Sequence, residues 1–485
     1  MRARCFHLPV LGAACGVALL AGCSFAPKYS RPTVLTAEGY RDSVALALPD
    51  STIANAPWWE LFEDEQLAEL ICVALAENKD LAIAVERIEE ARARYGFTRA
   101  DLYPMLQAGI AGGGLRTSAG SLMHLPDEEV DETQEIYAVS LDLSWEIDIF
   151  GRIRNASAAE KAAMLGTIET RRAVVLTLIA DAARAYFELR DADRQLEIAR
   201  STLDSRREYI DLARVRLEGG VAPETDLRQA EAEYHRIAVQ AFELEKRIVQ
   251  KENEIAVLLG RLPASVARGR PVAAQSTPPA VPAGIPAALL ERRPDIRAAE
   301  QDLIAANAQI GVAKAMLFPR LALTGSFGYA NNEIGDLFVG ANQSWNLIGS
   351  LVQPIFNANK NRRRVDISES QQRQLLYSYE RTILRAMQEV EDALVAYHKS
   401  GQQRAAQRAR VEAEQKVLEL SETRYVGGVA PYLEVLDAQR SLFAAEIDEA
   451  STIRTHVVSL VQLYKALGGG WTQAEADSAA AAAAH

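Results

Sequence analysis

The sequence predicts an α+β membrane protein whose chain is internally duplicated, with two β-strands and two long helices in each half. Three observations lead to this fold class. Landmark residues recur in the same order about 210 residues apart, heptad patterns run through long segments, and strictly alternating apolar residues precede those segments. A period of that length is too long for a solenoid, so each half is a substantial structural unit.

The first residues have the pattern of an export signal. Arg2 and Arg4 precede an apolar run over residues 8–20, which is too short to span a bilayer comfortably. We therefore predict a cleaved signal peptide over residues 1–22. A weakly periodic, proline-bearing segment follows, and we predict that it forms an extended arm over residues 23–65.

The end of the export signal carries a lipidation pattern. Residues 20–23, Leu-Ala-Gly-Cys, resemble the lipobox of bacterial lipoproteins. This resemblance implies that Cys23 is acylated and becomes the N-terminus of a lipid-anchored mature chain. Ser24, which is not an aspartate, implies sorting to the outer membrane. The alternative is an ordinary signal peptide with an incidental cysteine.

Three landmarks define the duplication. Residues 77–106 parallel residues 292–321, residues 146–155 parallel residues 352–361, and the stretch GGVAP at Gly219–Pro223 recurs at Gly427–Pro431. We predict a first repeat over 66–265, a proline-rich connector over 266–290, a second repeat over 291–470, and a disordered, alanine-rich tail over 471–485.

Four segments are predicted to be membrane-length strands. The clearest covers residues 136–148, where apolar residues alternate strictly with small or acidic ones. The others cover residues 106–118, 320–332 and 344–356, close to the roughly 9–11 residues that a tilted transmembrane strand needs. The predicted apolar face of the last two is Leu323, Phe327 and Tyr329 with Trp345, Leu347 and Leu351. A soluble sandwich that buries these faces is the alternative.

The longest periodic segment is predicted to be a helix over Ala156–Leu217. Apolar residues spaced alternately by three and four positions run through it, and Arg206 alone breaks the series. Such a helix would be roughly 90 Å long at about 1.5 Å per residue. The further predicted long helices are Thr225–Leu259, Asn361–Tyr425 and Tyr432–Leu467. A soluble antiparallel coiled coil is the alternative for these four helices.

The two GGVAP stretches are predicted to be the tips of helical hairpins. Glycine tolerates the left-handed dihedral angles that follow a helix, and proline fits the start of the next helix. The tip residues are Gly219, Gly220, Pro223, Gly427, Gly428 and Pro431.

A sheet of four strands cannot close into a membrane barrel by itself. An open edge in hydrocarbon leaves backbone groups unsatisfied at a cost of several kcal/mol each. If the sheet lies in a membrane, several chains must therefore pool their strands. Two chains would give about eight strands, and three would give about 12 with a lumen. This reasoning demands an oligomer without selecting its size.

Composition and motifs argue against several classes of protein. The 53 basic and 65 acidic residues give a formal net charge of −12, which argues against a protein that wraps nucleic acid. After processing only Cys72 would remain, so no disulfide within the mature chain is expected, and we predict that Cys72 is a small core residue. The sequence lacks metal-ligand spacings, phosphate loops and GxSxG motifs. We therefore expect no enzyme activity, no metal and no cofactor.

The ordered set of features resembles the TolC-like outer membrane efflux factors, in particular the acylated, multidrug type that serves resistance-nodulation-division pumps. The resemblance covers nearly the whole chain from Cys23 to about Gly470. It depends on the lipobox, the Trp58–Ala84 stretch, the paired YP and FP dipeptides before the strands, the tip stretch Arg424–Phe443, and the closing Leu463–Trp471 stretch.

The resemblance implies an architecture, a function and partners. It implies a homotrimer with a 12-stranded outer-membrane β-barrel, four strands per chain, continuous with a long periplasmic α-helical barrel. The protein would passively conduct drugs or other small toxic compounds to the exterior. A periplasmic membrane-fusion adaptor and an inner-membrane pump would deliver them, with the adaptor docking at the hairpin tips. Opening of the tips would gate the channel.

The resemblance also implies roles for individual tip residues. Glu434 and Asp437 stand where the family places acidic residues that ring the periplasmic aperture, and six such carboxylates in a trimer would bind cations. Asp226 and Tyr425 match residues of a latch between tips. Ala430 stands where the best-known member has the arginine of that latch, which puts a salt-bridged latch in doubt. The alternative is ordinary polarity at helix starts.

A second function class is a lipid-anchored periplasmic coiled-coil scaffold whose alternating segments form small soluble sheets. The two classes differ in how the chain is held to the membrane. A scaffold depends on acylation of Cys23, whereas a barrel stays embedded without it. The sequence does not identify the transported compound, because a wide polar bore selects weakly.

Overall fold

The computed structural model describes residues 25–34, 62–115, 134–275 and 289–469. The predicted signal peptide, Cys23, most of the arm, residues 276–288 of the predicted connector and the predicted tail lie outside the described residues. The helices are α1 (Glu65–Glu77), α2 (Lys79–Ala100), α3 (Arg152–Glu218), α4 (Glu224–Leu258), α5 (Leu289–Arg292), α6 (Pro294–Ala315), α7 (Lys360–Val426) and α8 (Tyr432–Ala466). The strands are β1 (Met105–Leu115), β2 (Gln134–Ile147), β3 (Arg320–Asn331) and β4 (Gln343–Val352).

The chain divides into two compact units. The first contains the described residues up to Pro32 together with Ile88–Gly166 and Ala299–Tyr379, and it holds the sheet. The second contains the described residues of Thr33–Arg87 and of Thr167–Ala298, and those from Glu380 onward, and it holds the hairpin turns. Among the described helices, none has the length and apolar character needed to cross a bilayer.

The four strands form one antiparallel sheet in the order β1-β2-β3-β4. The register aligns Ala108, Leu141, Phe327 and Trp345 across the four strands. Since side chains two residues apart share a face, the predicted apolar residues of β2, β3 and β4 lie on one face of the sheet. The predicted strands are therefore confirmed within the described residues, and positions 116–118 of the first predicted strand lie outside them. β4 ends at Val352 and not at residue 356, because Pro354 cannot donate to a ladder.

The described N-terminal segment packs against α6 and the strand ends. The Phe25 ring stacks on Phe318, which precedes β3, with centroids 4.3 Å apart, and Phe318 stacks in turn on Phe150, which follows β2. Further along, Arg31 donates two hydrogen bonds of 2.8 Å to the carboxylate of Glu300. An aromatic stack and a bidentate ion pair thus hold this segment at two points.

The second unit has its core along the predicted heptad seam of α3. Ala185, Leu189, Ala192 and Ala199 are fully buried. Arg206, which interrupts the apolar series, is also buried, with 3 % of its surface exposed. The four long helices begin and end within four residues of their predicted bounds.

The prediction that Cys72 is a core residue is wrong, because its side chain is exposed. The buried residues of α1 are Leu67, Ile71 and Ala74. Cys72 follows Ile71 directly, so a rotation of about 100° per residue turns it away from that buried face.

One buried carboxylate joins the start of α1 to the predicted connector. Asp64 caps α1 by accepting two backbone amide hydrogen bonds through Oδ1. Its Oδ2 accepts from the Tyr186 hydroxyl at 3.1 Å, the Arg270 amide at 3.1 Å and Gln275 Nε2 at 2.9 Å. This single side chain thus orders three separate segments of the second unit.

The C-terminal ends of α4 and α8 are held in matching ways by different residues. Gly260 and Gly468 follow these helices with positive φ angles of 67° and 73°. Asn78 donates to the Leu258 carbonyl at 2.9 Å, and Arg293, its counterpart in the second half, donates to the Ala466 carbonyl at 2.9 Å. Arg293 additionally pairs with Glu389 at 2.7 Å.

Candidate functional site

The two hairpin turns have the same backbone geometry. Gly220 and Gly428 have φ angles of 69° and 74°, in the left-handed region that favours glycine. In the first turn the amides of Gly220 and Val221 donate to the carbonyls of Leu217 and Arg216, both at 3.0 Å. The second turn repeats both bonds at equivalent residues. Each turn is therefore a Schellman motif that satisfies the last carbonyls of a long helix.

The next helix starts at a proline in both turns. Pro223 and Pro431 are the residues immediately before α4 and α8, with ψ angles of 156° and 158°. Their carbonyls accept hydrogen bonds from the amides of Asp226 and Glu434, both at 3.1 Å. Each proline is thus the residue just before the first helical turn and not a member of that turn. It fixes where the returning helix begins.

The two predicted aperture residues lie in the first two turns of α8. Glu434 is half-buried and accepts from Arg424 Nε at 2.9 Å, an ion pair across the second turn. Asp437 is exposed, one helical turn further along. Because a positive side chain holds Glu434 within the same hairpin, Asp437 is the freer of the two carboxylates to bind a cation.

The two predicted latch residues meet around an arginine that the sequence reasoning missed. The Arg216 guanidinium lies over the Tyr425 ring, 4.6 Å from its centroid, in a cation–π contact. Burial raises the pKa of Asp226, and the nearby positive charge of Arg216 opposes that rise. Arg216 thus contacts Tyr425 and lies near enough to Asp226 to act on its charge, whereas Ala430 supplies no charge.

Nothing in the local sequence marks Arg216 as special. Basic residues are common in the last turn of any helix, where they face the carbonyl end of the helix dipole. Only the packing of the two hairpins places its guanidinium on Tyr425, so a sequence pattern could not have identified it.

An aromatic cluster lies directly behind the second turn. Tyr425 and Tyr432 are both nearly fully buried, with ring centroids 5.6 Å apart. Tyr209 of α3 lies 6.5 Å from Tyr432 and donates to Glu422 of α7. Ala230, Val435 and Leu436 also belong to this cluster. The two hairpins therefore share one small core next to their turns.

The chemistry of this region is electrostatic and mechanical. The described part of the chain contains no group of three or more His, Cys, Asp or Glu residues that could hold a metal ion. The tips instead combine carboxylates near a turn, arginines that pair with them, and a packed contact between helices. Such an arrangement can attract cations and can hold or release helices.

Comparison with known proteins identifies a family. Residues 70–261 and 285–469 match the family described as outer membrane efflux protein. The toluene efflux pump outer membrane protein TtgI of Pseudomonas putida is 37% identical over 466 residues, which cover 94% of this chain and 97% of TtgI. The cation efflux system protein CusC of Escherichia coli is 35% identical over 461 residues, covering 95% and 98%.

Solved structures give the same result. The open state of the Neisseria gonorrhoeae MtrE outer membrane channel superposes with a TM-score of 0.83 at 32% identity. The match covers 92% of this chain and 98% of MtrE. The likeness therefore extends over the helices and the sheet together.

Proposed function

The chain belongs to the outer membrane efflux protein family, and on this premise we propose that three copies form an outer-membrane channel. It is an outer membrane component of an efflux system. Each copy contributes four strands to a 12-stranded barrel that continues into a periplasmic barrel of long helices. The two repeats, at 66–265 and 291–470, each supply two strands and one helical hairpin.

The single observation that carries this proposal is the four-stranded sheet with two unpaired edges. β1 and β4 each pair with one neighbour within the described chain. The apolar face includes side chains that are largely exposed, with Trp345 at 74 % and Ile110 at 87 %. In hydrocarbon such edges require partners, and further copies of the same sheet provide them.

Transport through this channel is passive, and the energy comes from partners. An inner-membrane resistance-nodulation-division pump and a periplasmic adaptor deliver the cargo, and the adaptor docks at the turns Gly219–Pro223 and Gly427–Pro431. TtgI is named for toluene efflux and CusC for cation efflux. We propose small toxic compounds as the cargo class, with the choice among them made by the pump. The chain itself is not an enzyme.

The tips close the channel at its periplasmic end. Glu434 and Asp437 of three copies would place six carboxylates around the aperture. Asp226 and Tyr425 hold the tips of one copy together, with Arg216 packed on the Tyr425 ring and its positive charge near Asp226. The contacts of Arg216 and the ion pair of Glu434 support this assignment.

Removal of the lipid anchor tests the membrane barrel. Cys23→Ser, placed behind a signal peptide that ordinary signal peptidase removes, is expected to stay in the membrane fraction after carbonate extraction. An unrelated acylated periplasmic protein carrying the same change serves as the control and should be released. Release of Cys23→Ser by carbonate would favour the lipid-anchored coiled-coil scaffold over the channel.

Neutralising the aperture carboxylates tests the gate. In planar bilayers, Glu434→Ala combined with Asp437→Ala is expected to weaken the block of conductance by divalent cations about tenfold or more, because a ring of six carboxylates is removed. Asp211→Ala, which removes an exposed carboxylate paired within α3, is the matched control. If divalent cations block the double variant as strongly as the wild type, Glu434 and Asp437 do not line the aperture.

A further inference from the structure

We infer that an arginine–glutamate cluster centred on the buried side chain of Glu233 is a clasp that holds the two helical hairpins together just above their tips. The inference rests on the proposed function, since it assigns a role in tip closure. We call Arg206, Glu233, Arg236 and Arg440 the clasp. It joins α3 and α4 of the first hairpin to α8 of the second.

Glu233 is the centre of the clasp. Its side chain has no exposed surface, yet it lies on α4 among charged neighbours. Arg440 Nε of α8 donates to Glu233 Oε2 at 2.9 Å, and Arg236, one turn along α4, donates to both carboxylate oxygens. These hydrogen bonds keep the pKa of Glu233 below its ordinary value in spite of burial, which acts to raise it. The carboxylate is therefore ionised and shared between the hairpins.

The residue that interrupts the heptad seam of α3 is a buried cation, Arg206. It occupies a seam position of α3 with 3 % of its surface exposed, and its Nε has no hydrogen-bond partner among the described residues. Burial lowers the pKa of Arg206. The negative charge of Glu233 is the largest of the electrostatic effects that oppose this lowering. The negative charge of Glu233 therefore offsets part of the cost of burying this guanidinium.

The cluster contains three cations and one anion. Loss of Glu233 would leave the partly exposed Arg236 and Arg440 with only solvent as an acceptor here, and Arg206 would be a buried charge without its nearby opposite charge. One carboxylate therefore adds a shared counter-charge to the apolar packing that joins α3, α4 and α8. A purely apolar seam would lack this dependence on a single group.

The position of the clasp connects it to the gate. Arg440 lies three residues after Asp437 on α8, so both side chains stand on the same side of the helix one turn apart. Separation of α8 from α4 at Arg440 would carry the start of α8, with Glu434 and Asp437, away from the first hairpin. Glu233 is thus a positioning residue for the aperture.

Hydrogen–deuterium exchange of the purified full-length protein tests the clasp. In Glu233→Gln, amides of the second turn and the start of α8 (residues 427–442) are expected to exchange about tenfold faster or more, because the ion pair between buried Glu233 and Arg440 is lost. Amides of Val457–Tyr464, far along α8, should keep their wild-type rates. Exchange at wild-type rates in residues 427–442, or an equal increase throughout α8, would overturn the proposal.

Two further variants separate the clasp from a general loss of stability. Glu231→Gln removes a partly exposed pair with Arg228 within α4 and should leave exchange unchanged. Adding Arg206→Met to Glu233→Gln removes the buried unpaired cation, so the melting temperature should recover while residues 427–442 continue to exchange rapidly. If Arg206→Met restored slow exchange as well, Glu233 would serve only to neutralise Arg206 and the clasp would be wrong.

Bilayer conductance separates the clasp from the proposed function. Larger currents through Glu233→Gln than through the wild type, together with faster exchange at residues 427–442, support both. Faster exchange without any change in current supports the clasp and contradicts gating at the tips.

Discussion

Replacing Asp64 with alanine is expected to lower the free energy of unfolding by about 3–5 kcal/mol, the range for an uncompensated loss within a buried polar network. Asp64 is 3 % exposed and accepts five hydrogen bonds. Without it, the Tyr186 hydroxyl and the Gln275 amide lose a buried acceptor, and α1 loses its cap. The midpoint of chemical denaturation, followed by circular dichroism, measures the effect.

The neighbouring residue provides the control for Asp64. Glu63 pairs with Arg270 at 2.9 Å, but its side chain is largely exposed. Glu63→Ala should therefore change stability by less than about 1 kcal/mol. Similar midpoints for Asp64→Ala and Glu63→Ala would mean that water replaces the buried hydrogen bonds.

Replacing Gly328 with alanine is expected to prevent normal pairing of β2 with β3. A Cβ atom at Gly328 would lie 2.2 Å from the Val139 carbonyl oxygen and 3.0 Å from the Ser140 Cα. Both are backbone atoms of the partner strand and cannot rotate away, so the strands must separate or shift. We expect a loss of about 3 kcal/mol or more and a several-fold lower yield of membrane-inserted protein.

Gly349 of β4 gives a matched control in the same sheet. A Cβ atom there would meet nothing within 4 Å in the described chain. Gly349→Ala should insert with wild-type yield, as measured by quantitative immunoblotting of washed outer membranes. Equal yields of the two alanine variants would show that the sheet shifts freely around Gly328.

The regular elements could be predicted from the sequence because their periods differ clearly. An alternation of period two over residues 136–148 and a heptad seam through α3 each fit one kind of element. The hairpin turns could also be predicted from the sequence, because paired glycines followed by a proline are typical of the end of one helix and the start of the next. The segment boundaries proposed around these elements remain predictions.

The side-chain contacts of the tips could not be predicted, because they depend on how helices from distant parts of the chain pack. Arg206 stood out only as an irregularity, and its counter-ion Glu233 had no distinguishing pattern. Cys72 was misplaced because a one-residue difference in helical phase separates a core position from an exposed one. Predicting the contact between Arg216 and Tyr425 would require knowing how the ends of α3 and α7 pack against each other.

The matched ends of α4 and α8 have an evolutionary consequence. Asn78 and Arg293 hold corresponding helix ends, but only Arg293 also binds a carboxylate of another long helix, Glu389. After the ancestral gene doubled, the two copies acquired dependences that are not interchangeable. A protein assembled from two first halves would lack the guanidinium, whereas in one assembled from two second halves each half would carry both Arg293 and Glu389. Divergence of this kind makes a duplication irreversible, since the first copy no longer supplies the contacts on which the second depends.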